Sequence, residues 1–381
     1  MCVGFWTLDH PEWSLVLCTN RDEFLDRPSQ PAQWHSFPPK HESFNITAQT
    51  DTHCKPQSPP PMEPVLSGFD IQARGTWFGI NQSGRVALIT NIAEPHVTAH
   101  TVSRGAWVAA YLDPIHQAPP LHESDDLSEF VRGAVTRPEG PISDTGGFNL
   151  LLLEPQRSIV DGLEGPLRRP TAFNATLLSN TGSETPIRGR TIRSASNPNV
   201  ASTNISLTCE GLSNGVDQSE IDGLGLRDPW KKISVGQQLL ADALAQYGPG
   251  PSDTRQSQSM EELEDQLVEE LMSLLSYRAP LPINTVRDMR DNIFVPASLS
   301  IPSIPKWYGT CLSTVVLVRR TTGEVLFVER DRSALVPRSD NALAAWRAAG
   351  GRTFDEALLE EQVVKHATRQ SLVRGVRRFP L

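Results

Sequence analysis

The sequence predicts an α+β protein built as a four-layer αββα sandwich, two antiparallel sheets stacked between helical layers. Two observations carry that expectation. Short β-prone runs recur as hairpins whose strands are apolar on both faces, so each needs cover on both sides. Amphipathic helical segments fill the middle of the chain in pairs.

The first hairpin opens the chain. Residues 1–8 and 14–24 flank Asp9-His10-Pro11-Glu12-Trp13, which reads as the connection. Symmetry about Pro11 pairs Gly4 with Cys18 and Cys2 with Asn20. It puts Gly4, Trp6, Val16 and Cys18 on one face, and Val3, Phe5, Leu15 and Leu17 on the other. The second residue then lies beside the polar cluster Asn20-Arg21-Asp22-Glu23.

From Arg27-Pro28 to about residue 68 the text is Pro-rich and irregular, consistent with a surface insertion. His53-Cys54 lies there without partners at zinc-like spacing, so no metal site is assigned. A second hairpin, residues 76–80 and 86–90, turns on Asn81-Gln82-Ser83-Gly84 and ends at Asn91. Helical patterning covers 101–112 and 125–135, and 146–153 is a buried-strand run. A second insertion is expected near 154–206. Residues 205–209 read as a strand entering Gly211-Leu212-Ser213-Asn214, with Leu178-Ser179-Asn180 a look-alike of the same local type. Asp228 and Pro229 are placed as N-cap and first turn of a helix with an apolar stripe at Val235, Leu239, Leu240, Ala243 and Leu244. Another helix is expected over 260–276. A last hairpin, 313–318 and 324–329, turns on Thr322-Gly323. One domain, 1–330, is thus expected, with a 331–381 tail holding a helix near 354–372. The tail's basic end, Arg374, Arg377 and Arg378, reads as a solvated appendage.

Composition narrows the function. With 381 residues, 38% of them hydrophobic, the chain can fill a full core. A net charge of −9 argues against nucleic acid as a partner. No basic region precedes the first strand and no run approaches the roughly 20 apolar residues of a membrane span, so neither a secretory signal nor a transmembrane segment is expected. Five cysteines without paired spacing fit reduced thiols and a cytoplasmic location.

Cys2 holds the chemical interest. Methionine is normally trimmed before a small residue, and loss of Met1 would leave one residue with both a thiol and an α-amine. That amine titrates near 7.7–8.0, so it can take the thiol proton and serve as base to its own nucleophile. Read without further context, Cys2 is more simply a small residue opening a strand, Asn91 a strand end and Lys232 a helix-surface lysine.

Met1-Cys2 with Asn20-Arg21-Asp22-Glu23 resembles the NRDE-motif family of transport and Golgi organisation proteins. Further matching stretches follow in order: Gly75-Thr76-Trp77-Phe78-Gly79-Ile80, Arg85 through Asn91, Gly147-Phe148-Asn149-Leu150, Gly211-Leu212-Ser213-Asn214, Pro229-Trp230-Lys231-Lys232 and Tyr308-Gly309-Thr310. The family is similar in turn to the N-terminal-nucleophile amidases of the choloylglycine hydrolase and penicillin V acylase type, which share the αββα sandwich. The resemblance implies roles. Cys2 attacks a carbonyl, and Arg21 and Asp22 hold and polarise its amine and thiol. Asn91 and Asn214 donate to the oxyanion, and Lys232 supplies positive charge. Asn20, Glu23 and Trp77 are the expected substrate contacts. Strict alternation sends Arg21 to the face opposite Cys2 and Asp22, so either the chain bends at Asn20 or Arg21 acts through its backbone. The adjacency of Arg21 and Asp22 also departs from the spacing in the bile-acid amidases.

Two functions follow from the resemblance. One is a trafficking protein of Golgi organisation, secretion and lipid or haem homeostasis, with a retained site at Cys2 and an association with the Golgi or mitochondria. The other is an active cysteine hydrolase or acyltransferase on a small amide or thioester. No cofactor is expected. Haem enters only as a cargo, for which His35 and His41 offer no defensible ligand pair.

Overall fold

The chain pairs its strands into two antiparallel sheets with helices on each. The computed structural model describes residues 2–37, 64–92, 100, 102–113, 127–136, 145–162, 165–182, 185–192, 207–215, 230–247, 259–296, 308–332 and 373–380. In chain order the strands are β1 (Val3–Thr7), β2 (Trp13–Phe24), β3 (Ser29–His35), β4 (Val65–Asp70), β5 (Phe78–Asn81), β6 (Val86–Asn91), β7 (Phe148–Gly162), β8 (Gly165–Asn180), β9 (Arg188–Ile192), β10 (Glu210–Ser213), β11 (Tyr308–Arg319), β12 (Glu324–Asp331) and β13 (Val373–Pro380). The helices are α1 (Gly105–Leu112), α2 (Leu127–Thr136), α3 (Lys231–Ala245) and α4 (Met260–Leu274). The first sheet runs β10-β1-β2-β11-β12-β13 and the second runs β3 to β9 in sequence order. Two units result, one from residues 1–27, 156–173 and 193–381, the other from 28–155 and 174–192.

In the first unit α3 and α4 cover one face of the sheet. Val3, Phe5, Val16, Cys18, Val315, Leu317, Leu326 and Val328 pack with Leu240 and Leu244 of α3 and Leu267, Leu271 and Met272 of α4. The opposite face, with Trp6, Leu15, Leu17 and Val316, is buried as well. Gly236 explains how close α3 comes: a Cβ there would lie 2.0 Å from Cζ of Phe5. A mid-helix glycine costs about 1 kcal/mol against alanine, and here it lets the Phe5 ring seat directly on the helix backbone. That seat fixes the start of α3 over the start of β1.

The first hairpin corrects the expected register. Val3 pairs with Asn20, Gly4 with Thr19 and Phe5 with Cys18, one residue away from symmetry about Pro11. The cause is remote. Arg320 donates to the carbonyls of Leu8 (3.2 Å), His10 (2.8 Å) and Trp13 (3.3 Å), while the Glu12 amide donates to Nδ1 of His10 at 3.1 Å. This clamp shapes the connection and moves the symmetry point past Pro11. A slip of one residue exchanges faces. Val3 and Phe5 therefore share a face with Val16 and Cys18, not with Leu15 and Leu17.

The second unit has its own helical cover, with Trp107, Tyr111 and Leu112 of α1 and Leu127 and Phe130 of α2 packed on Val65, Ala87, Ile89, Phe148, Leu150 and Leu152. Asn81 closes the β5–β6 turn, accepting from the Arg85 amide at 2.9 Å and donating to the Leu112 carbonyl at 3.0 Å.

Other expectations change in detail. β3 pairs with β4 inside the segment expected to be irregular, and β8 and β9 pair within the expected second insertion. The strand before Asn214 begins at Glu210, and 207–209 ahead of it are not strand. Trp230, extended at φ −67° and ψ 114°, is the N-cap of α3 in place of Asp228; Asp228 and Pro229 lie outside the described residues, as does the tail segment expected to be helical. The basic end is a strand, β13, paired with β12. No helix among the described residues is long and apolar enough to cross a membrane.

Candidate active site

The ends of β1, β2 and β10 and the first turn of α3 bring the expected chemistry together within the first unit. β1 pairs with β10 as Val3 with Ser213, so Cys2 and Asn214 follow side by side where the ladder stops. The Ser213 hydroxyl donates to the Cys2 carbonyl at 2.7 Å and fixes that residue's backbone. The half-buried Cys2 thiol donates to the Asp22 carbonyl at 3.7 Å.

Arg21 and Asp22 are both buried. Opposite them β11 is irregular: Asp22 pairs with Thr310 and Arg21 with Leu312, leaving Cys311 as an extra residue. Bulges re-aim side chains beside active sites. The bulge lies on β11, and the charges of both Arg21 and Asp22 reach the Cys2 thiol. Thr310 anchors the carboxylate, its hydroxyl donating to Oδ1 of Asp22 at 2.6 Å while accepting from the Val295 amide at 2.9 Å. The Tyr308 hydroxyl donates to the Asp22 carbonyl at 3.4 Å. Thr310, Tyr308 and Ser213 carry these roles although sequence reasoning assigned them none. Their signal was their place in the matching stretches.

Lys232 is wholly buried. Burial pushes its ammonium down to about 8, with Asp22 and Cys2 pulling the other way. Its Nζ stands 5.3 Å from the centre of the Trp230 ring, and the Arg290 guanidinium is 5.2 Å from the same ring. Burial also pushes the Cys2 thiol up; Asp22 adds to that, and Arg21 and the Asp22 carbonyl oppose it. Burial thus opposes the charged form of both groups, thiolate and ammonium alike, and the neighbouring charges only partly offset it.

The family described as Transport and Golgi organisation 2 matches residues 1–334. The chain belongs to that family. It is similar to the Transport and Golgi organization 2 homolog of Mus musculus, 25% identical over 342 residues that cover 87% of this chain and 92% of that protein. It is also similar to the Transport and Golgi organization protein 2 homolog of Homo sapiens, 24% identical over 371 residues, covering 94% of this chain and 99% of that one. Among solved structures, penicillin V acylase from Agrobacterium tumefaciens aligns with 87% of this chain and 86% of its own at 12% identity and a TM-score of 0.41.

The family's motif residues divide by what they touch. Asn20, expected to meet substrate, is fully buried and committed elsewhere. Its amide donates to the carbonyls of Leu275 (2.8 Å) and Ile293 (3.0 Å), and its oxygen accepts from Ser313 at 2.6 Å. It is a tie between β2, β11 and the chain after α4. Glu23 accepts from the Phe24 amide at 2.9 Å and stands 3.8 Å from Arg27. Asn214 is buried beside Ser213. Asn91 and Trp77 belong to the second unit: Asn91 is half-buried at the end of β6 opposite Phe148, and the Trp77 ring lies on Gly68, where a Cβ would come within 2.4 Å. Asn180, the look-alike, accepts from the Phe148 amide at 2.8 Å and so serves the second sheet. Among the described residues no three His, Cys, Asp or Glu stand together as a metal site. His35 bonds the Ser67 hydroxyl at 2.8 Å, and His41, His53 and Cys54 lie outside the described residues.

Proposed function

We propose that this chain serves transport and Golgi organisation, as its relatives' names describe, through a retained N-terminal-nucleophile site at Cys2 that acts on a small amide or thioester. The observation that carries the reading is the seat of the Cys2 thiol between the Arg21–Asp22 step and buried Lys232, with its own carbonyl held by Ser213. Removal of Met1 frees the α-amine. The amine takes the thiol proton and Sγ attacks the carbonyl carbon. Asn214 is the proposed donor to the oxyanion. Collapse expels the amine or thiol leaving group, protonated by the ammonium, and water then releases the acyl group from Sγ. Lys232 and Arg21 favour the thiolate along this path.

A second reading has its own support. Burial raises the Cys2 thiol, which keeps it protonated and slow at rest. That fits a site without turnover; in this reading the protein binds a lipid or haem ligand in the cytoplasm, at the Golgi or mitochondria. One experiment separates the two. The protein is incubated with a small acyl thioester, and the adduct is mapped by mass spectrometry. An acyl group on Cys2 that disappears with time, and never forms in Cys2→Ala, supports turnover. Saturable binding without acylation, equal in Cys2→Ala, supports the binding protein.

A further inference from the structure

The first sheet extends past the family match. That match stops at residue 334, shortly after β12, while β13 lies at Val373–Pro380. Without β13, β12 would present a bare row of amides and carbonyls, the feature of a sheet most open to another strand. β13 covers it antiparallel from Glu324 opposite Pro380 to Arg330 opposite Val373, with a register shift between Glu329 and Arg330.

The helix beside that edge is acidic. α4 carries Glu261, Glu262, Glu264, Asp265, Glu269 and Glu270, and neither Lys nor Arg. Glu264 turns inward to Arg319 at 2.6 Å, and Glu269 pairs with Arg330 of β12. Asp265 and Glu270 remain exposed. Beside β12 lies a cavity of about 590 Å³ lined by Leu326, Val328 and Arg330 of β12, by Asp265, Glu269 and Glu270 of α4 and by Tyr247, so acids outnumber the single arginine. The strand that reaches this place reads Val373-Arg374-Gly375-Val376-Arg377-Arg378-Phe379-Pro380, three arginines with no acid, in a chain of net charge −9. Val376 and Arg378 pair with two of the lining residues, Val328 and Leu326.

We infer that the β12 edge and the acidic flank of α4 form a docking site for an extended, arginine-bearing segment, and that residues 373–380 of the same molecule are its resident occupant. Ladder pairing supplies the affinity and the acidic wall selects for arginine, the division of labour in strand addition. The simpler alternative is that the arginines only guard the new outer edge against aggregation. Then the acids of α4 would be irrelevant to docking.

The test uses the full-length chain. Hydrogen exchange is followed at the β12 amides that pair with β13 in wild type, in Val376→Pro and in the doubly substituted Asp265→Lys/Glu270→Lys. Both variants should exchange at these amides at least fivefold faster, with β11 and α4 protected as in wild type. A labelled peptide of residues 373–381 should bind Val376→Pro and not wild type, and its three-Arg-to-Gln version should bind at least tenfold more weakly. Unchanged exchange in Asp265→Lys/Glu270→Lys, or equal binding by the Gln peptide, overturns the acidic selection. Unchanged protection in Val376→Pro overturns the docking of β13 at this edge. A strand-exchanged dimer of wild type by light scattering overturns the assignment of the occupant to the same molecule.

Discussion

The two sheets are built on different plans. The second joins neighbours in the chain, β3 to β9 in order, so most of its ladder closes over short loops. The first joins strangers: β1 lies between β2 and β10, and β2 between β1 and β11, bringing residues near 2, 22, 214 and 310 to one corner. The proposed chemistry sits in the sheet whose contacts are remote. Remote pairing costs more loop-closure entropy, and what it provides is a corner where side chains from four distant stretches meet. The teaching is that this corner needs long-range ties to hold it, whereas the second sheet is tied locally.

The largest test of that contrast is Asn20→Leu. It takes the amide donor from two buried carbonyls, each worth about 1–3 kcal/mol, and one of its two partners from the Ser313 hydroxyl, which keeps Arg332, so urea denaturation should show a loss of roughly 4 kcal/mol. A loss typical of surface substitutions would remove Asn20 as the tie. Next comes Lys232→Met. With its pKa pushed from 10.5 to about 8, this lysine binds more protons unfolded than folded between those values. Its contribution to stability therefore rises with pH across that window, by roughly 3 kcal/mol in all. Wild type should gain on Lys232→Met in paired urea melts from pH 8 upward, and the gap should be constant below. The same substitution should slow alkylation of Cys2 about tenfold at pH 7, since a cation has left the thiolate's surroundings. Gly236→Ala pushes a methyl into Phe5 and should cost about 2 kcal/mol by overpacking; a neutral result in thermal melts would mean that α3 can back away. The smallest effect is expected in the second unit. Tyr111→Phe loses one bond, to the Leu153 carbonyl at 3.1 Å, and should cost about 1 kcal/mol.

What the sequence disclosed follows the same division. The β5–β6 and β11–β12 hairpins were legible because their turns are local, with Gly84 and Gly323 in the left-handed region at φ 87° and 71°. Cys2, Asp22 and Lys232 were named through matching stretches, and the structure places them in one corner. The register of β1 on β2 was not legible, because Arg320 sets it from the end of β11, 310 residues on from His10. Nor was the role of Asn20, whose partners are backbone carbonyls more than two hundred residues on. The bulge at Cys311 opposite Arg21 and Asp22 leaves no mark in composition or spacing. β13 reads as a basic tail until β12 is there to pair with it.

The most direct measurement is intact mass followed by mapping of a limiting dose of a thiol electrophile on the native protein. The account predicts a chain lacking Met1, with Cys2 modified ahead of Cys18, Cys54, Cys209 and Cys311. A chain that keeps Met1, or a Cys2 that reacts no faster than the buried Cys18, would contradict it.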